Sequence, residues 1–208
     1  GSEMCIRDRY YLLGATLAAP FDLSGFAIIG NPDYNLDDPE APKNLLLHSS
    51  DEFFPYAEWV WAWRSVRLLS IILGCITLLA IYRLGRLLYP QRPYTALAAT
   101  ALTAFTPEFL FMSGVVNNDN LATTMAALSL LWGAHLWLKG NAGMWDFFIL
   151  GVLWGLGVLS KASLLTLGIF VLGICAKEAV TSCRRVLRDS LQGFLIRCIL
   201  TGVGMLLV

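Results

Sequence analysis

The sequence predicts an all-α polytopic membrane protein with about six transmembrane helices, plus an external loop that carries an interfacial aromatic helix. Three observations predict it. First, of 208 residues 57% are apolar and 14% charged, with a mean hydropathy of +0.63; an ordinary soluble domain is about 45–50% apolar and about 25% charged. Second, the apolar residues gather into runs approaching the roughly 20 residues that a spanning helix needs. Third, the basic residues concentrate in alternate connectors between those runs. This composition excludes a typical soluble enzyme and a disordered chain. A formal charge of zero, from 15 basic and 15 acidic residues, argues against a nucleic-acid partner.

Residues 1–9 are polar and fit neither a signal peptide nor a span. They read as disordered or foreign sequence joined to the chain. Residues 10–64 form the external part. After a short apolar stretch, Pro20, Pro32, Pro39, Pro42 and Pro55 and the acids Asp33, Asp37, Asp38, Glu40, Asp51 and Glu52 bar a membrane crossing. The end of this region, FFPYAEWVWAWR at 53–64, is dense in aromatic residues. Trp and Tyr favour the membrane–water boundary, so it reads as an interfacial helix; a platform for stacking sugars is the other reading.

Residues 65–208 form the transmembrane domain. Its apolar runs are 68–82, 94–116, 121–138, 145–159, 164–176 and 194–208. The second contains Pro107-Glu108, and Lys161 separates the fourth from the fifth. The fourth and fifth are short for spanning, and read as two tilted spans or one re-entrant pair. The connectors 83–92, 139–146 and 177–192 together hold eight basic residues. The positive-inside rule places them in the cytoplasm. The loop before Arg64, the Asn117–Asn120 turn and the Lys161 turn then lie outside. That alternation favours two spans for the short pair. Val180, Cys183, Leu187 and Leu191 recur at helical spacing, with Arg184, Arg185 and Arg188 elsewhere, the pattern of a helix lying in the interface. Position 208 falls within an apolar run, so the chain reads as cut at both ends.

Cys5, Cys75, Cys175, Cys183 and Cys198 form no C-x-x-C pair. Most sit in or beside apolar runs, where Cys acts as a small hydrophobe. With His48 and His135 the only histidines, no metal site is expected.

Charges at membrane depth are costly and therefore candidates for function. Asn117-Asn118-Asp119-Asn120 lies at the outer mouth between two spans. A carboxylate there can accept a proton, hold a cation or orient a sugar hydroxyl, and the amides can donate and accept hydrogen bonds. The competing reading is a turn in which Asp119 or Asn120 caps the next helix. Lys161 has no acid beside it in sequence. It either meets an anion, a lipid phosphate being the nearest plentiful one, or snorkels to the headgroups. Glu108 follows a kinking Pro107 and is expected to face protein or water. Arg64 and Arg67 flank the first clear span and can pair with a phosphate or with acids. Gly151, Gly155 and Gly157 read as small residues that permit close helix packing.

Four segments, in order, resemble one family. Tyr10-Tyr11-Leu12-Leu13 resembles the end of a P-P-L-Y-Y-L-L segment, and 67–74, RLLSIILG, resembles an R-L-L-S-x-x-x-G start of a span. Thr106-Pro107 through Asn117-Asn118-Asp119 resembles T-P-x-F-x-x-x-S-x-x-x-N-N-D, and 155–161, GLGVLSK, resembles G-L-A-L-L-T-K. Together they are similar to the polyprenyl-phosphate-sugar-dependent membrane glycosyltransferases related to protein O-mannosyltransferases and lipid A aminoarabinose transferase. The resemblance implies a C-type glycosyltransferase fold with its active site on the extracytoplasmic face of a bacterial or archaeal plasma membrane. It implies a polyprenyl-phosphate donor of a hexose or pentose, and a protein, lipid or glycan acceptor. It places Asp119 on the catalytic second-loop acid and Lys161 near the donor phosphate, with Asn117, Asn118, Arg64, Arg67 and Glu108 as substrate-binding candidates. The family's first-loop acid precedes the Tyr-Tyr. Here that place holds Ile6-Arg7-Asp8-Arg9 without the Pro-Pro, so Asp8 is no replacement and the chain as given is expected to be inactive. No cofactor is required by this reading, and metal dependence stays open. A transporter that uses Glu108, Asp119 and Lys161 as an ion path is the alternative, as is a non-catalytic binder of lipid-linked sugar.

Overall fold

The computed structural model describes residues 8–26, 29–35, 37–38, 40–139, 142–183 and 189–206. It is an all-α membrane protein with eight described α-helices, α1 to α8, and one long loop between the first two. Helix α1 (Asp8–Ala18) packs against α2 (Glu58–Leu88), the longest helix. Between them the loop carries a two-residue antiparallel β pair, Ile29 opposite Leu47 and Gly30 opposite Leu46, and a short 3-10 turn at Ser50–Glu52. Glu58 accepts a hydrogen bond from the Asp22 backbone at 2.9 Å, and Phe26 meets Trp59 edge-on with ring centroids 5.5 Å apart. These contacts tie the loop to the first turn of α2.

The helical part of the aromatic stretch, from Glu58 on, is continuous with the span and forms the first turns of α2. The 31 residues of α2 extend about 46 Å, well beyond the roughly 30 Å hydrocarbon layer. The surplus turns extend beyond the hydrocarbon, and a Trp-rich end suits the membrane–water boundary.

Helices α3 (Pro93–Ala104) and α4 (Pro107–Gly114) are the expected second run, bent by 64° at the break. Pro107 starts α4, where its missing donor costs nothing and its fixed φ suits a first turn. Helix α5 (Asn118–Lys139) packs on both α2 and α6 (Met144–Ser160). A 3-10 turn, Ala162–Leu167, runs into α7 (Gly168–Cys183), and α8 (Asp189–Leu206) closes the described chain. By length and apolarity three helical stretches can cross a membrane: Glu58–Leu88, Asn118–Lys139 and Ala162–Thr181. The bent α3–α4 pair makes a fourth if it is one span, and Met144–Ser160 and Leu195–Leu206 are shorter apolar helices. The centre of the surface helix expected over 180–192, and residues 1–7 of the polar start, lie outside the described residues.

Two clusters form the core. Tyr10, Val66, Leu73 and Leu121 join α1, α2 and α5. Leu136, Phe147, Leu150, Val171, Ile174 and Cys175 join α5, α6 and α7. Helix α8 lies close against α6 because two glycines face it. A methyl group on Gly151 would come within 2.2 Å of the Thr201 carbonyl oxygen, and one on Gly155 within 2.6 Å of the Met205 Cα. In a bilayer, such small residues let van der Waals contact do the work that the hydrophobic effect does in water.

Polar side chains run through the α2–α5 seam. The hydroxyls of Thr77 and Thr124 meet at 3.0 Å, and each lies 3.0 Å from the Leu73 carbonyl oxygen. Tyr10 and Ser70 share a buried hydrogen bond of 2.5 Å. Helices α2 and α5 are parallel along this seam, since Leu73 and Thr77 meet Thr124, while Arg83 and Leu87 meet Leu131 and His135 further along. The bent pair between them makes the return that a parallel pair requires.

Candidate functional site

The ends of α5 and α6 build the site. Asn117 accepts a hydrogen bond from the Asp119 backbone at 3.1 Å through Oδ1. That is the N-cap bond, so Asn117 satisfies an orphan donor of the first turn. The capping role expected for Asp119 or Asn120 thus falls to Asn117, and the Asp119 carboxylate is left for other partners. Asn118 donates to the Ser160 carbonyl at 3.2 Å, joining the start of α5 to the end of α6. Asn120 is buried and donates to the Met112 and Val115 carbonyls at 2.8 and 3.0 Å. It ties the end of α4 to α5, adding a donor to the Met112 carbonyl, which also accepts from the Val115 backbone, and serving the Val115 carbonyl at the helix end.

On this frame Lys161 Nζ lies 2.8 Å from Asp119 Oδ1. The lysine therefore has a protein anion as its partner. Local sequence around Lys161 shows no such acid, because Asp119 is 42 residues away in sequence and adjacent only in space. Helix α6 ends at Ser160, and Lys161 adopts extended backbone before the 3-10 turn, which aims its side chain back across α5. Trp154 fixes that turn by donating Nε1–H to the Leu164 carbonyl at 2.9 Å.

The pair opens on a cavity of about 490 Å³. Its wall includes Asp119, Lys161 and Glu108, with the hydroxyl side chains of Thr106, Thr123 and Ser163 and with Phe109 and Met112 as apolar surface. The bend between α3 and α4 brings Glu108 here, in the first turn of α4. Three charged residues singled out in the sequence thus line one space. Asn117 and Asn118 hold its frame from behind. Arg64 and Arg67 do not line it: Arg64 lies over the Tyr56 ring at 3.8 Å and Arg67 over Trp63 at 5.9 Å. The sequence reading missed Thr106, Thr123 and Ser163. Their signal was present in the hydroxyls flanking Pro107, Asp119 and Lys161, but which of them face inward depends on the α3–α4 bend and the 3-10 turn.

The charged connectors sort to the two ends of the bundle. Asp119 and Lys161 meet at one end. Lys139 pairs with Asp146 at 3.4 Å at the other, where Lys177 donates to the Trp137 carbonyl and Arg83 and Arg86 flank His135.

Comparison with known proteins finds one family. Residues 62–192 match the family model described as dolichyl-phosphate-mannose-protein mannosyltransferase. No curated protein and no solved structure matches the chain.

Proposed function

The chain belongs to the dolichyl-phosphate-mannose-protein mannosyltransferase family, and from that premise we propose that it transfers a sugar from a polyprenyl-phosphate donor to an acceptor on the extracytoplasmic face of the membrane. The observation that carries this reading is the convergence of Asp119, Lys161 and Glu108 on one cavity at the end of the bundle away from the arginine-rich connector. That charge asymmetry supports an extracytoplasmic active face, since basic connectors favour the cytoplasm.

In the reaction an acceptor hydroxyl oxygen attacks the anomeric carbon. The new C–O bond forms as the bond from that carbon to the phosphate oxygen breaks, and the electron pair leaves with polyprenyl phosphate. The acceptor proton passes to a carboxylate. Asp119 is the group for that step, a positioned acid/base side chain at the cavity mouth. Lys161 faces the leaving phosphate and offsets its developing charge. The donor phosphate shares the Lys161 ammonium with Asp119. The second oxygen of Asp119 then faces the acceptor. Glu108 supplies a further carboxylate for sugar hydroxyls from α4, and Asn117 and Asn118 keep the two charged side chains in register.

The test is Asp119→Asn in the full-length, membrane-embedded protein, assayed by transfer of labelled sugar from a polyprenyl-phosphate donor. Turnover is expected to fall by about 10²–10⁴-fold, the contribution of a positioned acid/base group, with normal expression. Near-normal turnover would reduce Asp119 to a partner for Lys161.

A further inference from the structure

A second pocket lies at the opposite end of the α2–α5 seam. It has a volume of about 430 Å³ and is lined by Arg83, Arg86 and Leu87 from α2 and Leu131, Trp132 and His135 from α5. Sixteen helical positions separate Asp119 from His135 along α5, about 24 Å at the α-helical rise. The pocket is therefore distinct from the Asp119–Lys161 cavity.

Its charges are unbalanced. Among the described residues neither Arg83 nor Arg86 has a carboxylate or a hydrogen-bond acceptor as partner, and the connector that follows, to Arg92, holds no acid. The other cations nearby are engaged: Lys139 with Asp146, and Lys177 with the Trp137 carbonyl and ring. Three residues apart on one helix, Arg83 and Arg86 share a face. Two guanidinium forks on one face match the oxygens of a single phosphodiester. His135 approaches from the neighbouring helix and stacks near Trp132, with ring centroids 5.9 Å apart.

The floor is rigid and apolar. Trp132 donates Nε1–H to the Asp146 carbonyl at 3.0 Å, which fixes the indole, and Leu87 and Leu131 complete the surface. Depth matches as well. The apolar run of α2 ends at Tyr82 and the arginines follow at once, so the forks lie at headgroup level with apolar wall on the membrane side. Basic pockets between helices at this level suit anionic lipid headgroups.

We propose that the Arg83–Arg86–His135 pocket is a binding site for the phosphodiester headgroup of an anionic phospholipid, with an acyl chain lying over Leu87 and Leu131. The site is independent of the chemistry assigned to the Asp119 end.

The test uses the full chain, purified in neutral detergent, with native mass spectrometry to read apparent affinity for dioleoyl phosphatidylglycerol, dioleoyl phosphatidylcholine and inorganic phosphate. The glycerol lipid is expected to bind more tightly than the choline lipid. The Arg83→Gln/Arg86→Gln variant is expected to lose about fivefold per arginine, roughly 25-fold together, the worth of a basic residue near an anionic lipid surface. Arg92→Gln removes the same charge outside the pocket and is expected to leave the affinity unchanged. Wild-type affinity in the double variant overturns the proposal, as does an equal loss in Arg92→Gln. Inorganic phosphate that displaces the lipid as well as the free lipid does would show a simple anion site and overturn the lipid assignment. If the double variant fails to fold, the single variants carry the same comparison, and wild-type affinity in both overturns it.

Discussion

Asn118 at the start of α5 donates its side-chain amide to the carbonyl of Ser160 at the end of α6, 3.2 Å away. The residues that follow each of them, Asp119 and Lys161, form the 2.8 Å ion pair. One neutral hydrogen bond thus sets the register of two charged side chains at the ends of different helices. Asn118→Ala is expected to cost about 0.5–1.5 kcal/mol of stability. Its effect on turnover should be larger, about 10- to 100-fold, because small misplacements of a catalytic group are expensive. Transfer kinetics beside thermal unfolding separate the two. A rate loss no larger than the stability loss explains would remove Asn118 as a positioning residue.

Much of this site is legible in the sequence because each part lies next to a helix end. Pro107, the Asn117–Asn120 turn and Lys161 each interrupt an apolar run, and interruptions at membrane depth need a reason. What could not be read is which interruptions meet. The Asp119–Lys161 pair spans a helical hairpin, and local sequence around Lys161 shows no acid at all. Glu108 joins them only because α3 and α4 bend by 64°; a straight span would have put it elsewhere. The continuity of α2 through its aromatic turns was not legible either. Arg64 and Arg67 look like a boundary, yet both charges lie over aromatic rings of their own neighbourhood and the helix runs straight through.

Asn120 is the strongest structural contact of the turn. Its amide serves the carbonyls of Met112 and Val115, and its side chain is buried. Asn120→Ala removes the side-chain donor of the Val115 carbonyl and leaves Met112 only the Val115 backbone N–H, and is expected to destabilise the protein by about 1–3 kcal/mol. Asn120→Asp replaces the donor with a carboxylate facing two carbonyls and should cost at least as much. Unfolding in detergent measures both, and a neutral Asn120→Asp would show that water reaches these carbonyls.

The Thr77–Thr124 contact offers a double-mutant cycle. Both hydroxyls lie in the α2–α5 seam and both reach the Leu73 carbonyl. Hydrogen bonds between membrane helices average about 0.6 kcal/mol, with a maximum of about 1.7 kcal/mol. Thr77→Val and Thr124→Val are therefore expected to couple within that range. Strict additivity would mean that each hydroxyl is satisfied within its own helix.

At Gly151 the neighbour is backbone. A Cβ would sit 2.2 Å from the Thr201 carbonyl oxygen, and α8 cannot yield there by rotating a side chain. Gly151→Ala is expected to force α6 and α8 apart and cost about 1–3 kcal/mol, the usual penalty of overpacking. Gly173 has open space where a Cβ would stand, so Gly173→Ala is the control. Thermal unfolding of the two variants checks it, and equal midpoints would contradict the close α6–α8 approach.

Lys161 separates stability from donor use. Its side chain is 49% exposed and that of Asp119 33%, so solvent screens the pair and its contribution to stability is about 0–1 kcal/mol. Lys161→Met should therefore barely change the unfolding midpoint. It should raise the apparent donor constant by about tenfold or more, since a charged contact to the phosphate is lost. Lys161→Arg keeps the charge with different geometry and should fall between wild type and Lys161→Met. Salt gives a second readout. Raising ionic strength should weaken donor use by the wild type, where a half-exposed cation meets a phosphate, and should weaken it less in Lys161→Met. Equal donor constants for wild type and Lys161→Met would take the lysine out of the site and leave it as the counter-ion of Asp119.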